Sequence, residues 1–147
     1  ALHADGRHEI TAAPFRLQLE DTIYRVRIAR GVQLSSGQPL LRHKTSERQV
    51  YEQARAEYSP EEADEVLLTN EKGELCEGTF TSLFVEGDDG ILLTPPLSCG
   101  CLAGVLRTSL ICARKARVSP LRPDDLDRRQ AYVGNSLRGL IRISLVP

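Results

Sequence analysis

Between Glu65 and Pro96 the chain has few conformations open to it. Glu65–Thr69, Glu74–Thr79 with its continuation Ser82–Val85, and Ile91–Thr94 are apolar runs too short for helices. They are divided by Asn70–Gly73 and by Asp88-Asp89-Gly90, both strong turn signals, so they read as strands, the first two as a hairpin. Pro95-Pro96 ends the last one, because proline cannot donate to a strand ladder. Thr22–Ala29 alternates strictly between apolar and polar residues, which predicts a half-buried strand. Asp5-Gly6 followed by alternation from His8 to Ala12 predicts a hairpin arm in the stretch up to Glu20, and Ala131–Val133 reads as a last strand.

Helical periods fall between these strands. Gly31–Pro39 is loop-like, and Ser46-x-x-Gln49 has the form of a capping box ahead of Val50, Tyr51, Ala54 and Tyr58 at helical spacing. Lys44 therefore stands just before a helix. Gly104 opens a second helix, Val105 to about Lys115, with Val105, Leu106, Leu110 and Ala113 on one face. Asp124-Asp125 starts a short third helix.

At 147 residues and 41% apolar content, the chain can bury an ordinary core without disulfides. Its 19 basic and 20 acidic residues are mixed along the chain, so nothing points to nucleic acid. The expected partners are small molecules and further copies of the chain. No apolar run approaches the roughly 20 residues that cross a bilayer, and the first residues do not resemble a signal peptide, so a cytoplasmic location is expected. The spacing of Cys76, Cys99, Cys101 and Cys112 fits neither a zinc pattern nor a disulfide framework, so reduced thiols are expected; Cys99-x-Cys101 lacks further soft ligands for a metal. The absence of Met, even at position 1, reads as a piece of a longer polypeptide.

Four features could carry chemistry. Lys44 is one of three lysines; Lys72 lies in a turn and Lys115 at a helix end, whereas Lys44 lies where a side chain can point into a cleft, with a surface amine as the alternative. Glu77 is a carboxylate within an otherwise apolar strand, unless it faces solvent. The Gly104 helix start offers free N–H groups to a phosphate, as any such helix start does. Gly134-Asn135-Ser136-Leu137-Arg138-Gly139 is a polar turn that could hold an anion or could be a plain loop.

Taken in order, His43-Lys44-Thr45-Ser46-Glu47-Arg48, Ala63–Leu68, Glu77-Gly78-Thr79-x-Thr81-x-Leu83-Phe84, Leu93–Gly100, Leu102-Ala103-Gly104-Val105-Leu106-Arg107 and Gly134-Asn135-Ser136 resemble the fold-type IV pyridoxal-phosphate enzymes. These are the branched-chain and D-amino-acid aminotransferases and aminodeoxychorismate lyase, and the match covers roughly residues 40 to 143. The resemblance implies an α/β fold, a curved mixed sheet forming a pseudo-barrel with flanking helices. It implies pyridoxal 5'-phosphate as cofactor, Lys44 as the Schiff-base and proton-moving lysine, and Glu77 as partner of the pyridine nitrogen. Val105 and Leu106 would offer amides to the phosphate, Ser136 and Asn135 further donors, and Arg48 would also bind the cofactor.

The His-Lys-Thr segment and the Gly-Asn-Ser-Leu-Arg-Gly turn are most similar to lyase domains fused behind aminodeoxychorismate synthase. That subtype converts 4-amino-4-deoxychorismate to 4-aminobenzoate and pyruvate. The resemblance implies a homodimer, a possible synthase partner, and a division into residues 1–30, the remnant of a small N-terminal domain with its linking strand, and a cofactor-binding large domain, 31–147. Three departures stand out: Ser82 where Asn is common, Gln49 where the aminotransferases have Tyr, with Tyr51 two positions on, and a nearly absent small domain. An aminotransferase and a non-catalytic module of a larger synthase are the competing expectations.

Overall fold

The computed structural model describes residues 2–15, 19 and 21–147. Eight strands, β1 (Ile23–Ile28), β2 (Glu65–Thr69), β3 (Leu75–Gly78), β4 (Ser82–Glu86), β5 (Leu92–Thr94), β6 (Ala116–Val118), β7 (Ala131–Asn135) and β8 (Gly139–Leu145), form one sheet. Its order is β3-β2-β1-β8-β7-β4-β5-β6, and β3 also pairs with β4. That extra pairing closes six strands into a barrel and leaves β5 and β6 as an extension. β1 pairs in parallel with both β2 and β8, while β2–β3, β4–β5, β4–β7 and β7–β8 are antiparallel. The sheet is therefore mixed, as the resemblance implied. The strand expected as a linker, β1, is an internal barrel strand.

Val26, Leu67, Leu75, Leu83, Val85, Val133 and Ile143 meet inside the barrel. Fully burying such a side chain contributes about 1.5–3 kcal/mol, so these staves hold the closure. All five residues of β2 are buried, because the helix α1 (Gln49–Ala56) covers its second face. There Tyr51 and Ala54 pack with Val66, Leu68, Cys76, Cys99 and Cys101. A strand covered on both faces reads as a continuous apolar run.

Several local expectations differ from the structure. The Ser46 capping box does not form: α1 is capped by Arg48 without a side-chain hydrogen bond, and residues 43–48 run as non-helical chain along a cavity. In α2 (Val105–Cys112), Arg107 is the buried residue, whereas Val105 is 69% exposed. Arg107 Nη2 donates to Pro95 O at 2.7 Å, so the buried side of α2 is turned toward Arg107 and away from Val105. The last strand is β8 rather than Ala131–Val133. The expected first hairpin reduces to a turn at Gly6 and a single bridge, Leu2 to His8; residues 16–18 and 20 lie outside the described residues. The third helix, α3 (Pro123–Arg128), forms as expected.

Candidate active site

An irregularity in β3 decides where Glu77 points. Leu68 pairs with Glu77 but Thr69 pairs with Leu75, so the register shifts there by one residue. Leu75 faces the barrel interior. Strict alternation would send Glu77 the same way, but the extra residue places Glu77 opposite Leu68, on the face covered by α1.

On that face Glu77 is 6% exposed. Its Oε1 accepts a 2.7 Å hydrogen bond from the Tyr51 hydroxyl and its Oε2 a 3.0 Å bond from the Leu102 amide. Burial raises the Glu77 carboxyl above the ordinary carboxylate range, while Tyr51, Leu102 and Arg48 act in the opposite direction. Burial also pushes the Tyr51 hydroxyl well above its usual value, so it remains a donor. The Arg48 guanidinium lies 4.7 Å from the centre of the Tyr51 ring and donates to Thr79 O.

The cavity beside Glu77 has a volume of about 500 Å³, within the usual range for small-molecule sites. All seven residues singled out in the sequence line it: Lys44, Arg48, Glu77, Val105, Leu106, Asn135 and Ser136. Lys44 is exposed to the cavity and solvent. At the other wall Gly104 caps α2 without a side chain, which leaves the first helical amides, Val105 and Leu106 among them, without an intrahelical acceptor. The polar turn approaches this helix start because residue 134 is glycine: a Cβ there would lie 2.9 Å from Leu106 Cδ2 and 2.2 Å from Gly139 O.

Asn135 has a structural duty. Its Oδ1 accepts from the Leu137 and Arg138 amides at 3.1 and 3.0 Å, and its Nδ2 donates to Phe80 O at 3.2 Å. It shapes the turn that carries Ser136.

Tyr51 is the site residue that the sequence alone did not single out, since helical spacing marks it as core. Its ring is core; its hydroxyl is not. Cys99 and Cys101 are buried free thiols behind the site, pushed up by burial to about 11 and about 12. They stay protonated and poorly nucleophilic. Among the described residues no group of three or more His, Cys, Asp or Glu side chains could hold a metal ion, and no helix is long and apolar enough to cross a membrane.

The residues fit pyridoxal phosphate. A buried carboxylate with no cation bonded to it among the described residues suits a protonated ring nitrogen. A helix start and a serine turn suit a phosphate, and an amine on the same cavity suits an aldehyde. Barrel and site together define an enzyme built around a cofactor of this shape.

The amino-transferase class IV profile matches residues 3–146, and the chain belongs to this family, whose members are pyridoxal-phosphate-dependent. A candidate amino-acid aminotransferase from Mesorhizobium loti superposes with a TM-score of 0.95 and 47% identity, over 99% of this chain and 70% of that one. The branched-chain aminotransferase of the archaeon Thermoproteus uzoniensis gives 0.78 and 21%, over 92% and 48%. The 4-amino-4-deoxychorismate lyase of Pseudomonas aeruginosa gives 0.72 and 23%, over 83% and 47%. These last two share the fold, and the chain spans about half their length. No curated protein sequence matches significantly.

Proposed function

We propose that the chain is the cofactor-binding large domain of a lyase that converts 4-amino-4-deoxychorismate to 4-aminobenzoate and pyruvate. The observation that carries the reading is the convergence of Lys44, Glu77, the α2 start and Ser136 on one cavity. Bound there, pyridoxal phosphate supplies an electron sink for negative charge on the substrate carbon next to nitrogen. Lys44 Nζ would hold the cofactor, and as a free amine it would take a proton from that substrate carbon and return one to the departing three-carbon unit. Glu77 keeps a proton on the ring nitrogen. Ser136 and the amides of Val105 and Leu106 hold the phosphate, and Arg48 forms the wall above Tyr51. The residues ahead of β1 would then belong with a small domain, and the active assembly would be a homodimer, alone or joined to a chorismate-using synthase.

The choice of lyase rests on the His43-Lys44-Thr45 and Gly134–Gly139 segments and on Gln49, which stands at the aminotransferase Tyr position and begins α1. The identity with the Mesorhizobium loti protein favours a second reading, transfer of an amino group from an amino acid. Incubating the loaded protein with 4-amino-4-deoxychorismate and following pyruvate separates them. Pyruvate release supports the lyase. Conversion of the cofactor to its amine form by amino acids, without pyruvate, supports the aminotransferase, and cofactor binding without either reaction supports a non-catalytic module.

A further inference from the structure

The Tyr51–Glu77 hydrogen bond joins two buried groups that nothing forces together for packing. Tyr51 is 8% exposed with its ring in the core beneath α1, and Glu77 is 6% exposed on a register shift in β3. A buried carboxylate bonded to a tyrosine instead of a cation carries a desolvation cost that the fold retains.

We infer that Tyr51 is a positioning residue for the reaction: its hydroxyl, 2.7 Å from Glu77 Oε1, aims the carboxylate and favours its ionised form, the form that can hold a protonated ring nitrogen. This rests on the cofactor reading given above. Two features support it. Tyr51 cannot turn away, because its ring is packed on one side and carries the Arg48 guanidinium on the other, itself anchored on Thr79 O. Leu102 N holds the second oxygen, so the carboxylate plane is set from two sides and each oxygen keeps a lone pair free.

The charged and titratable groups around Glu77 come from every neighbouring element. Tyr51 faces it from α1 and Arg48 from the cap just ahead of that helix, Glu65 from β2, Cys76 from its own strand and Cys101 from the loop before α2. Burial and Glu65 favour a neutral Glu77. Tyr51, Leu102 and Arg48 oppose them. One hydrogen bond to a charged acceptor changes proton affinity by about tenfold.

The test uses the cofactor-free chain first. Titrating the Glu77 side-chain carboxyl by carbon NMR, assigned by its loss in Glu77→Gln, should show about tenfold higher proton affinity in Tyr51→Phe than in the wild type. An unchanged titration overturns the inference. Should Tyr51→Phe fail to fold, ring-fluorinated tyrosine at position 51 keeps the bond with a stronger donor, and Glu77 should then bind its proton more weakly; no change again overturns it. With pyridoxal phosphate added, Tyr51→Phe should keep the visible band with a displaced pH midpoint, and the displacement should vanish in a Glu77→Gln background. A displacement that persists there contradicts a route through Glu77. Absence of the band from the wild type would refute the cofactor reading alone, since the Glu77 titration is read without cofactor.

Discussion

Gly78 and Glu65 meet so closely that a Cβ on Gly78 would stand 2.6 Å from Glu65 Oε2 and 2.4 Å from Thr81 Oγ1. Neither neighbour can give way easily, because Thr81 Oγ1 donates to Glu65 Oε2 at 2.7 Å and both side chains are buried. Gly78→Ala should therefore destabilise the protein by about 2 kcal/mol and lower Tm by about 4–8 °C in a thermal melt. A melt superimposable on the wild type would contradict this account of the turn.

Glu65 is the acceptor around which residues 79–81 fold. It takes the amides of Val66 and Thr79 at 2.8 and 2.9 Å, the Phe80 amide at 3.2 Å, and the hydroxyls of Thr79 and Thr81. Glu65→Gln keeps the shape but turns an amide NH₂ toward groups that are themselves donors. Urea denaturation should show a loss of about 2–3 kcal/mol despite the near-identical volume. A loss under about 0.5 kcal/mol would mean that the donors are satisfied some other way.

The legible parts of the fold were those set by neighbours in sequence. The alternation in β1, the apolar run of β2 and the turns at Gly73 and Gly90 announce themselves, since both glycines adopt the positive φ that such turns favour. Lys44, Glu77, Ser136 and the α2 start were legible as separate features, and the family resemblance joined them. Contacts distant in sequence were not legible. Ile141 and Ile143 alternate with Arg142 and Ser144, but nothing local says that β8 will pair in parallel with β1 as well as antiparallel with β7. The register shift that re-aims Glu77 leaves no mark in the sequence, so Tyr51 as its partner was hidden too. α1 starts at Gln49 because the chain ahead of it is drawn along the cavity, an outcome of tertiary structure that a capping pattern does not encode.

Acid should loosen the surface at its hydrogen-bonded carboxylates. Asp64 accepts from Arg25 Nε and Nη2 at 3.0 and 2.9 Å and from the Arg25 amide at 2.8 Å, and the guanidinium holds its carboxyl below the usual 3.8. Hydrogen bonds from Ser36 lower Glu71 from 4.5 to about 2. Both groups have depressed values in the folded state, so their contribution is complete above the ordinary carboxylate range and is lost as pH falls through the lowered values. Asp64→Asn should cost about 1 kcal/mol at neutral pH, and its deficit against the wild type should shrink as pH drops below 3.8. A deficit constant from pH 7 to 2 would contradict the pairing.

Cofactor affinity should follow the donors at the phosphate end. Ser136→Ala removes one hydrogen bond to a charged group and should raise the Kd for pyridoxal phosphate about tenfold, measured by equilibrium dialysis. The melting temperature without cofactor should not move, since the hydroxyl is not needed by the turn that Asn135 holds. Equal affinity in Ser136→Ala and wild type would remove Ser136 from the site.

The most direct test of the central claim is the visible absorption spectrum of the protein mixed with pyridoxal phosphate, wild type beside Lys44→Ala. The account predicts a protein-dependent visible band in the wild type and none in Lys44→Ala, with the variant still folded by its melting curve. The same band in both proteins, or in neither, would contradict Lys44 as the residue that holds the cofactor.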